Sequence, residues 1–131
     1  MNPASEDIKS IIVDESSLGY IFGTDIFVGK EPAEPDNVVT IFDTPGSPQM
    51  LTLTRGENYY YPSIQIRVRN IRYDIGWDNA NDIVQLLHAR AQEVWNGTLY
   101  SLIRCMGEPV FLDIDKNDRY RFIINFDIQR R

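Results

Sequence analysis

From Ser63 to Arg69 the chain alternates, with Ile64, Ile66 and Val68 apolar and Gln65, Arg67 and Arg69 polar between them. A period of two marks a strand with one buried and one polar face. The same reading predicts strands over "YIFGTDIFV" (20–28), interrupted by a possible bulge at Gly23, and over "NVVTIFD" (37–43). A short strand is expected at "MLTLT" (50–54), and three more at "TLYSLIRC" (98–105), "PVFLDI" (109–114) and "YRFIINFDI" (120–128). Between them, "GKEPAEPD" (29–36) reads as a loop, "TPGSP" (44–48) as a turn, and "RGENYYYP" (55–62) as irregular. Met106-Gly107-Glu108 and "DKND" (115–118) make the last connections.

Two stretches carry a helical period instead. In the first, Asn2 is placed to cap a helix with Pro3 at its first position, and Glu6 and Asp7 suit the positive end of the dipole. Ile8, Ile11 and Ile12 share one face, and Gly19 is a plausible stop. The second is capped by Asp74 or Asp78 and runs to about Trp95, with Ala80, Ile83, Val84, Leu87, Ala91 and Val94 as its apolar stripe and Asn96-Gly97 as its end. Strands in runs, rather than alternating with helices, predict an α+β fold: a mainly antiparallel sheet, an N-terminal helix, and one long helix packed on the sheet. At 131 residues the expectation is one domain spanning 1–131.

Composition narrows the function classes. Thirteen basic against nineteen acidic side chains give a net charge of −6, which argues against a protein that coats DNA through phosphate neutralisation. A single cysteine, Cys105, excludes an intramolecular disulfide, and the polar, acidic N-terminus is wrong for a signal peptide, so a cytosolic folding environment is expected. No apolar run approaches the ~20 residues of a membrane span. His88 is the only histidine, mid-helix and without a nucleophile at a recognisable spacing, and reads as structural or surface. Cys105 reads as a small buried hydrophobe.

The best metal motif is "DIDKND" (113–118), where Asp113, Asp115 and Asn117 match the first ligands of a calcium loop. Its sixth position is Asp118 rather than glycine, and its twelfth is Ile124 rather than a bidentate glutamate. A polar hairpin turn is the better reading. No catalytic residue, metal or cofactor is predicted, and the chain is not expected to be an enzyme.

What remains is a row of donors on an acidic protein, Gln65, Arg67 and Arg69 with Arg72 just beyond, and the consecutive Tyr59, Tyr60 and Tyr61. The tyrosines are either partial core or a contact surface. The arginines either solubilise an exposed strand or meet a partner. Four pieces in order carry a resemblance: "PSIQIRVRN" (62–70), "YDIGWDNANDIVQLLH" (73–88), "CMGEPVFLDIDKNDRYRF" (105–122) and "INFDIQRR" (124–131). Together they resemble the tail terminators of long-tailed bacteriophages, also labelled minor capsid or tail completion proteins. The likeness covers a little over half the chain and leaves residues 29–58 unassigned.

That resemblance implies a ring, usually a hexamer, on the head-proximal end of the tail tube. The ring would stop tube polymerisation and dock the head connector, while DNA passes through its lumen without sequence-specific binding. The implied partners are further copies of the chain, the tail tube protein and the connector or stopper, with no membrane. The place would be the head–tail joint of a virion assembled in the host cytoplasm. Gln65, Arg67, Arg69, Arg72, Tyr59 and Tyr60 are the expected subunit or tube interface. Glu31, Glu34 and Asp36, or the Asp113–Asp118 turn, are the expected acids across it. Two alternatives stand beside this reading: a neck or head-completion protein of the same joint, and a small stand-alone α+β ligand-binding domain.

Overall fold

The computed structural model describes residues 1–50 and 59–131. The isoleucine face predicted near the N-terminus lies on helix α1 (Ala4–Glu15), and Ile8, Ile11 and Ile12 are all fully buried. Pro3 takes the cap position instead of the first helical turn, and no side chain of the cap itself bonds the helix start. The strand β2 (Val38–Met50) supplies that group instead. Asp43 accepts the backbone N–H of Ser5 at 3.1 Å and its hydroxyl at 2.6 Å. A carboxylate at this end satisfies an otherwise unpaired amide and complements the helix dipole.

The other strands are β1 (Ile26–Val28), β3 (Tyr59–Asn70), β4 (Glu93–Trp95), β5 (Thr98–Cys105), β6 (Val110–Ile114) and β7 (Tyr120–Arg130). Among the described residues they form one sheet in the order β1-β2-β3-β7-β5-β4, with β6 pairing β7 off this path. Only β1 with β2 is parallel; the other pairs are antiparallel. β7 pairs β6 along its first half and β5 along its second.

The period of two does what it predicts. Ile64, Ile66 and Val68 of β3 and Phe122, Ile124, Phe126 and Ile128 of β7 are buried, and they share one core with α1 and with α2 (Tyr73–Leu87). Each such side chain taken from water is worth roughly 1.5–3 kcal/mol before entropy is counted. Both helices pack on the sheet, giving the predicted α+β architecture.

Several boundaries differ from the sequence reading. The long helix stops at Leu87, not near Trp95, and His88 is its C-terminal cap. Ala89 and Gln92 take positive φ, and residues from Glu93 to Trp95 form β4. Asn96 and Gly97, at φ 51° and 80°, are therefore the two-residue turn of a β4–β5 hairpin rather than a helix stop. Residues 20–25 form turns around Gly23 and leave only a three-residue β1. The expected turn at 44–48 is a strand with irregular register, because Gly46 lies against β3 where a Cβ would sit 2.1 Å from the Tyr61 carbonyl oxygen. Tyr59 to Pro62, expected irregular, belong to β3. The strand expected at 50–54 begins where β2 ends, and the remainder of it lies outside the described residues, as do residues 55–58.

The two chain ends meet at Asp7, which is fully buried. It accepts from the Tyr100 hydroxyl and from the Asn96 amide (2.7 Å), with the Arg130 guanidinium 3.8 Å away. Burial, and then the bond to Asp7, push the Tyr100 hydroxyl well above its ordinary range. Arg130 also donates to the Asn2 carbonyl at 2.9 Å, tying the last strand to the segment just ahead of the α1 cap.

Gly76 on α2 tests how tightly the helix is seated. Alanine has the higher helix propensity by about 1 kcal/mol. A Cβ there would stand 2.8 Å from Cε2 of the fully buried Phe122 ring and 3.1 Å from Cβ of Asn70. Overpacking typically costs ~1–3 kcal/mol and should win. Gly76→Ala is expected to lower the urea midpoint; an unchanged or raised midpoint would show that α2 has room to shift.

Candidate assembly surface

The polar face of β3 is built by register. Across it, Arg67 pairs with Thr40 of β2 and Ile123 of β7, and Arg69 pairs with Val38 and Arg121. Arg119, just before β7, and Arg121 on it repeat the alternation of Arg67 and Arg69, so four guanidinium groups gather on one side of the sheet. They are not left to solvent. The loop 29–36 crosses over them as a strap, held at one end by the Gly29 N–H on the Ile41 carbonyl.

Glu31 is the strap's central contact. Its carboxylate receives Arg69 at 3.1 Å, Arg67 at 3.4 Å and Arg121 at 3.5 Å. Arg69 is only 3% exposed, and each of its nitrogens is engaged: it also donates to the carbonyls of Pro35 (2.7 Å) and Asp36 (3.1 Å). Arg119 donates to the Ala33 carbonyl at 2.6 Å and pairs with Asp36 at 3.5 Å and Asp115 at 2.8 Å. Arg121 closes on Asp113 through both a bond at 2.5 Å and a second, shorter one. Arg67 lies over the Phe42 ring at 5.1 Å and also donates to Gln65 at 3.4 Å.

The acids expected to lie across an interface thus sit, in Glu31, Asp36, Asp113 and Asp115, on the same chain as the arginines. Glu34 is exposed on the strap. The hydrogen bond from Arg121 holds the Asp113 carboxyl below its ordinary range. For Asp115, burial opposes ionisation, but the N–H groups of Arg119 and Asn117 and the Arg119 guanidinium together outweigh it, so its pKa is lowered too. Those same bonds make "DIDKND" a hairpin turn: Asp115 Oδ1 accepts from Asn117 at 2.9 Å and Arg119 at 3.0 Å. Both oxygens of Asp115 are then occupied by the turn and by Arg119.

The other expected interface residues are spread out. Arg72 is 64% exposed at the start of α2 and pairs with nearby Asp74 at 2.9 Å. Tyr59 and Tyr60 lie at the opposite end of β3, about 33 Å away at ~3.3 Å per residue. Tyr59 packs under Arg131 at 5.3 Å, and Tyr60 is exposed. Gln65 bonds Asn125 on β7 at 3.2 Å. These six residues therefore form no single cluster.

His88 accepts the Cys105 backbone N–H at 3.0 Å through Nδ1, a structural role. Cys105 is half-buried against the core rather than within it. Among the described residues no group of three His, Cys, Asp or Glu side chains is arranged to hold a metal ion. No helix among them is long and apolar enough to cross a membrane.

With a sheet, two helices and a strapped polar face in view, comparison with known proteins decides the family. A model of the bacteriophage tail terminator protein family matches residues 15–131. The chain belongs to this family. A search of curated proteins found no match. Among solved structures, a chain from the virion of a native gene transfer agent particle is similar in fold, with a TM-score of 0.67 at 11% sequence identity, covering 96% of this chain and 92% of that one. The protein is a structural component of a phage tail, and its work is contact with other structural proteins of the virion.

Two predictions follow from the strap. Reversing Arg67 and Arg69 together would leave Glu31 facing like charges in a largely water-excluded site, at a cost of about 3–5 kcal/mol. Arg67→Glu/Arg69→Glu is therefore expected to lower the thermal midpoint strongly, against the simpler idea that outward-facing arginines can be reversed freely. Arg67→Glu alone should cost less, since that side chain is 26% exposed. A double variant that melts like the parent would show that the strap adds nothing.

The second prediction concerns acid. Because the folded pKa of Asp115 lies below its ordinary 3.8, its stabilisation is present above that value and is lost as pH falls through the lowered one. Asp115→Asn keeps an acceptor for the turn but removes the charge facing Arg119. It should cost about 1–3 kcal/mol at neutral pH, with the gap to the parent narrowing below pH ~3.8 in urea titrations. A gap constant with pH would refute the charge argument.

Proposed function

We propose that the protein closes the head-proximal end of the tail tube as a ring of identical subunits, a hexamer. The ring stops tube polymerisation and presents its far side to the head connector, with DNA passing through the lumen without sequence-specific contact. The family match over residues 15–131 is the observation that carries this reading. The likeness in fold to a virion chain supports it. In this reading residues 1–131 act as one domain at the head–tail joint of a particle assembled in the cytoplasm of its host, with no catalytic role and no cofactor.

Gln65, Arg67, Arg72, Tyr59 and Tyr60 are the proposed points of contact with neighbouring subunits or the tube. Arg69, buried under the strap, serves that contact by holding the outer face in shape. These observations support a division of labour along β3: Arg69, wholly committed to the strap, keeps the surface rigid, and the partly exposed Gln65 and Arg67 and the groups toward the two ends of the strand remain for partners. A preformed surface binds with less ordering cost than one assembled on contact.

Polymerising the tail tube protein with and without this chain tests the reading. Electron microscopy should show tubes of limited length with density capping one end. Open-ended tubes of uncontrolled length with no bound protein would overturn it.

A further inference from the structure

Two segments distant in sequence, the strap at 29–36 and the β6 hairpin at 110–118, meet the same pair of arginines. Arg121 of β7 turns one edge of its guanidinium to the hairpin: Nε donates to one oxygen of Asp113 at 2.5 Å and Nη2 donates to the other. Its remaining nitrogen, Nη1, reaches Glu31 of the strap at 3.5 Å. Arg119 divides its donors in the same way. Nε goes to Asp115 of the hairpin at 2.8 Å, while Nη1 goes to the Ala33 carbonyl at 2.6 Å and to Asp36 at 3.5 Å. Each arginine therefore holds the hairpin with one edge and the strap with the other.

The place of Asp113 is built into β6. Phe111 is in register with Phe122, and Asp113 with Arg121, so Leu112 is one residue too many: a bulge. Without it the alternation would set Leu112 opposite Arg121 and turn Asp113 to the other face, opposite Tyr120. The extra residue re-aims the carboxylate onto the face where the strap lies.

Neither segment is held by much burial. Val110, Phe111, Leu112 and Ile114 are exposed, although the Phe111 ring still packs against Tyr73 and Phe122. Lys30 and residues 33–36 of the strap are exposed as well. Segments with few buried apolar side chains open locally at a cost below that of global unfolding. What the two share is a pair of arginines fixed to β7, whose Phe122 and Ile124 lie in the core.

We infer that Arg119 and Arg121 join the β6 hairpin and the strap into one unit that holds or opens as a whole. The acids of the two segments use different nitrogens, so they do not compete for a donor. The two-point grip of Asp113 fixes the plane of the guanidinium, and with it the direction in which Nη1 points to Glu31. Such coupling is reciprocal: a partner that seats on the hairpin steadies the strap, and one that seats on the strap steadies the hairpin. The link belongs to the single chain and does not depend on the ring reading.

The chain's three lysines report on it. Lys30 lies at the start of the strap, Lys116 in the hairpin turn and Lys9 in α1. The full chain is treated with a dilute lysine-specific protease, so that cutting follows the open population, and mass spectrometry locates each cut. Asp113→Asn should speed cutting at Lys30 as well as at Lys116, and Glu31→Gln should speed cutting at Lys116 as well as at Lys30. At the distant site the rise should be at least about fivefold, with Lys9 unchanged. In the double variant the second change should add less than it does alone. Glu108→Gln, which removes an exposed charge just ahead of β6, should leave Lys30 at the parental rate. A rise confined to the altered segment would overturn the link, and so would a faster cut at Lys30 in Glu108→Gln. Slower cutting at Lys30 in Asp113→Asn would overturn it by showing that two acids compete for Arg121. An equal rise at all three lysines would do the same, because opening would then be global.

Discussion

Arg69 lies in the middle of a sheet, on a strand covered by helices on one side and by the 29–36 strap on the other, with 3% of its surface exposed. A guanidinium cannot shed its charge, so burial there demands an acceptor for every nitrogen. Glu31 and the Pro35 and Asp36 carbonyls meet that demand. The rest of the outer face follows from the same requirement: Arg67 and Arg121 share the one carboxylate, and Arg119 fastens the far part of the strap at Ala33. Charge neutrality and backbone satisfaction, rather than apolar area, define the shape of this side of the molecule.

The inner side is organised by burial, yet its helices are placed by polar groups distant in sequence. Asp43 receives the first turn of α1. The side chains of Asn37 and Asn70 accept the N–H groups of Ile71 and Arg72 just before α2. His88 ends that helix and then accepts from β5. Asp7 binds Tyr100 and Asn96, and Arg130 reaches back to Asn2. Each of these bonds joins an element's end to a neighbour, so the helices are seated in direction as well as pressed against the sheet.

The strands with strict alternation, β3 from Ser63 and β7, were legible from sequence because their period coincides with a one-sided core, whereas β5 and β6 were legible within a residue or two from apolar and aromatic runs bounded by turn residues. α1 was legible for the same reason at a period of 3.6. What sequence reasoning missed is set by tertiary context. Residues 89–94 are acceptable helix formers, but Ala89 and Gln92 turn left-handed and Asn96-Gly97 make a hairpin, a signal that was present and was read as a helix stop. Pro45 and Gly46 looked like a turn, and become strand because Gly46 permits close backbone approach to β3. The row of Gln65, Arg67 and Arg69 was visible, as was its need for acids. That Glu31, from a loop with two prolines, would meet it within the same chain depends on the loop's path, which no local pattern encodes. Arg119 and Arg121 did carry a signal, the same alternation as Arg67 and Arg69, that would have pointed to a shared face.

The two faces of the sheet also fix the geometry that the proposed ring asks of a subunit. In the proposed ring a subunit needs its contact surfaces fixed relative to one another, since a ring closes only if the angle between them is reproducible. The strap clamps β3 and β7 on the outside through Glu31 and β2 through the Gly29 N–H, while α1 and α2 pack against the inner face of the sheet. The strands so held lie between β1 and β6. Rigidity of that span follows from charges that cannot leave their partners and from side chains that cannot leave the core. The unusual arginines of β3, held by Glu31, thus keep the spacing of the sheet's two edges constant, which is what the proposed ring requires of its subunits.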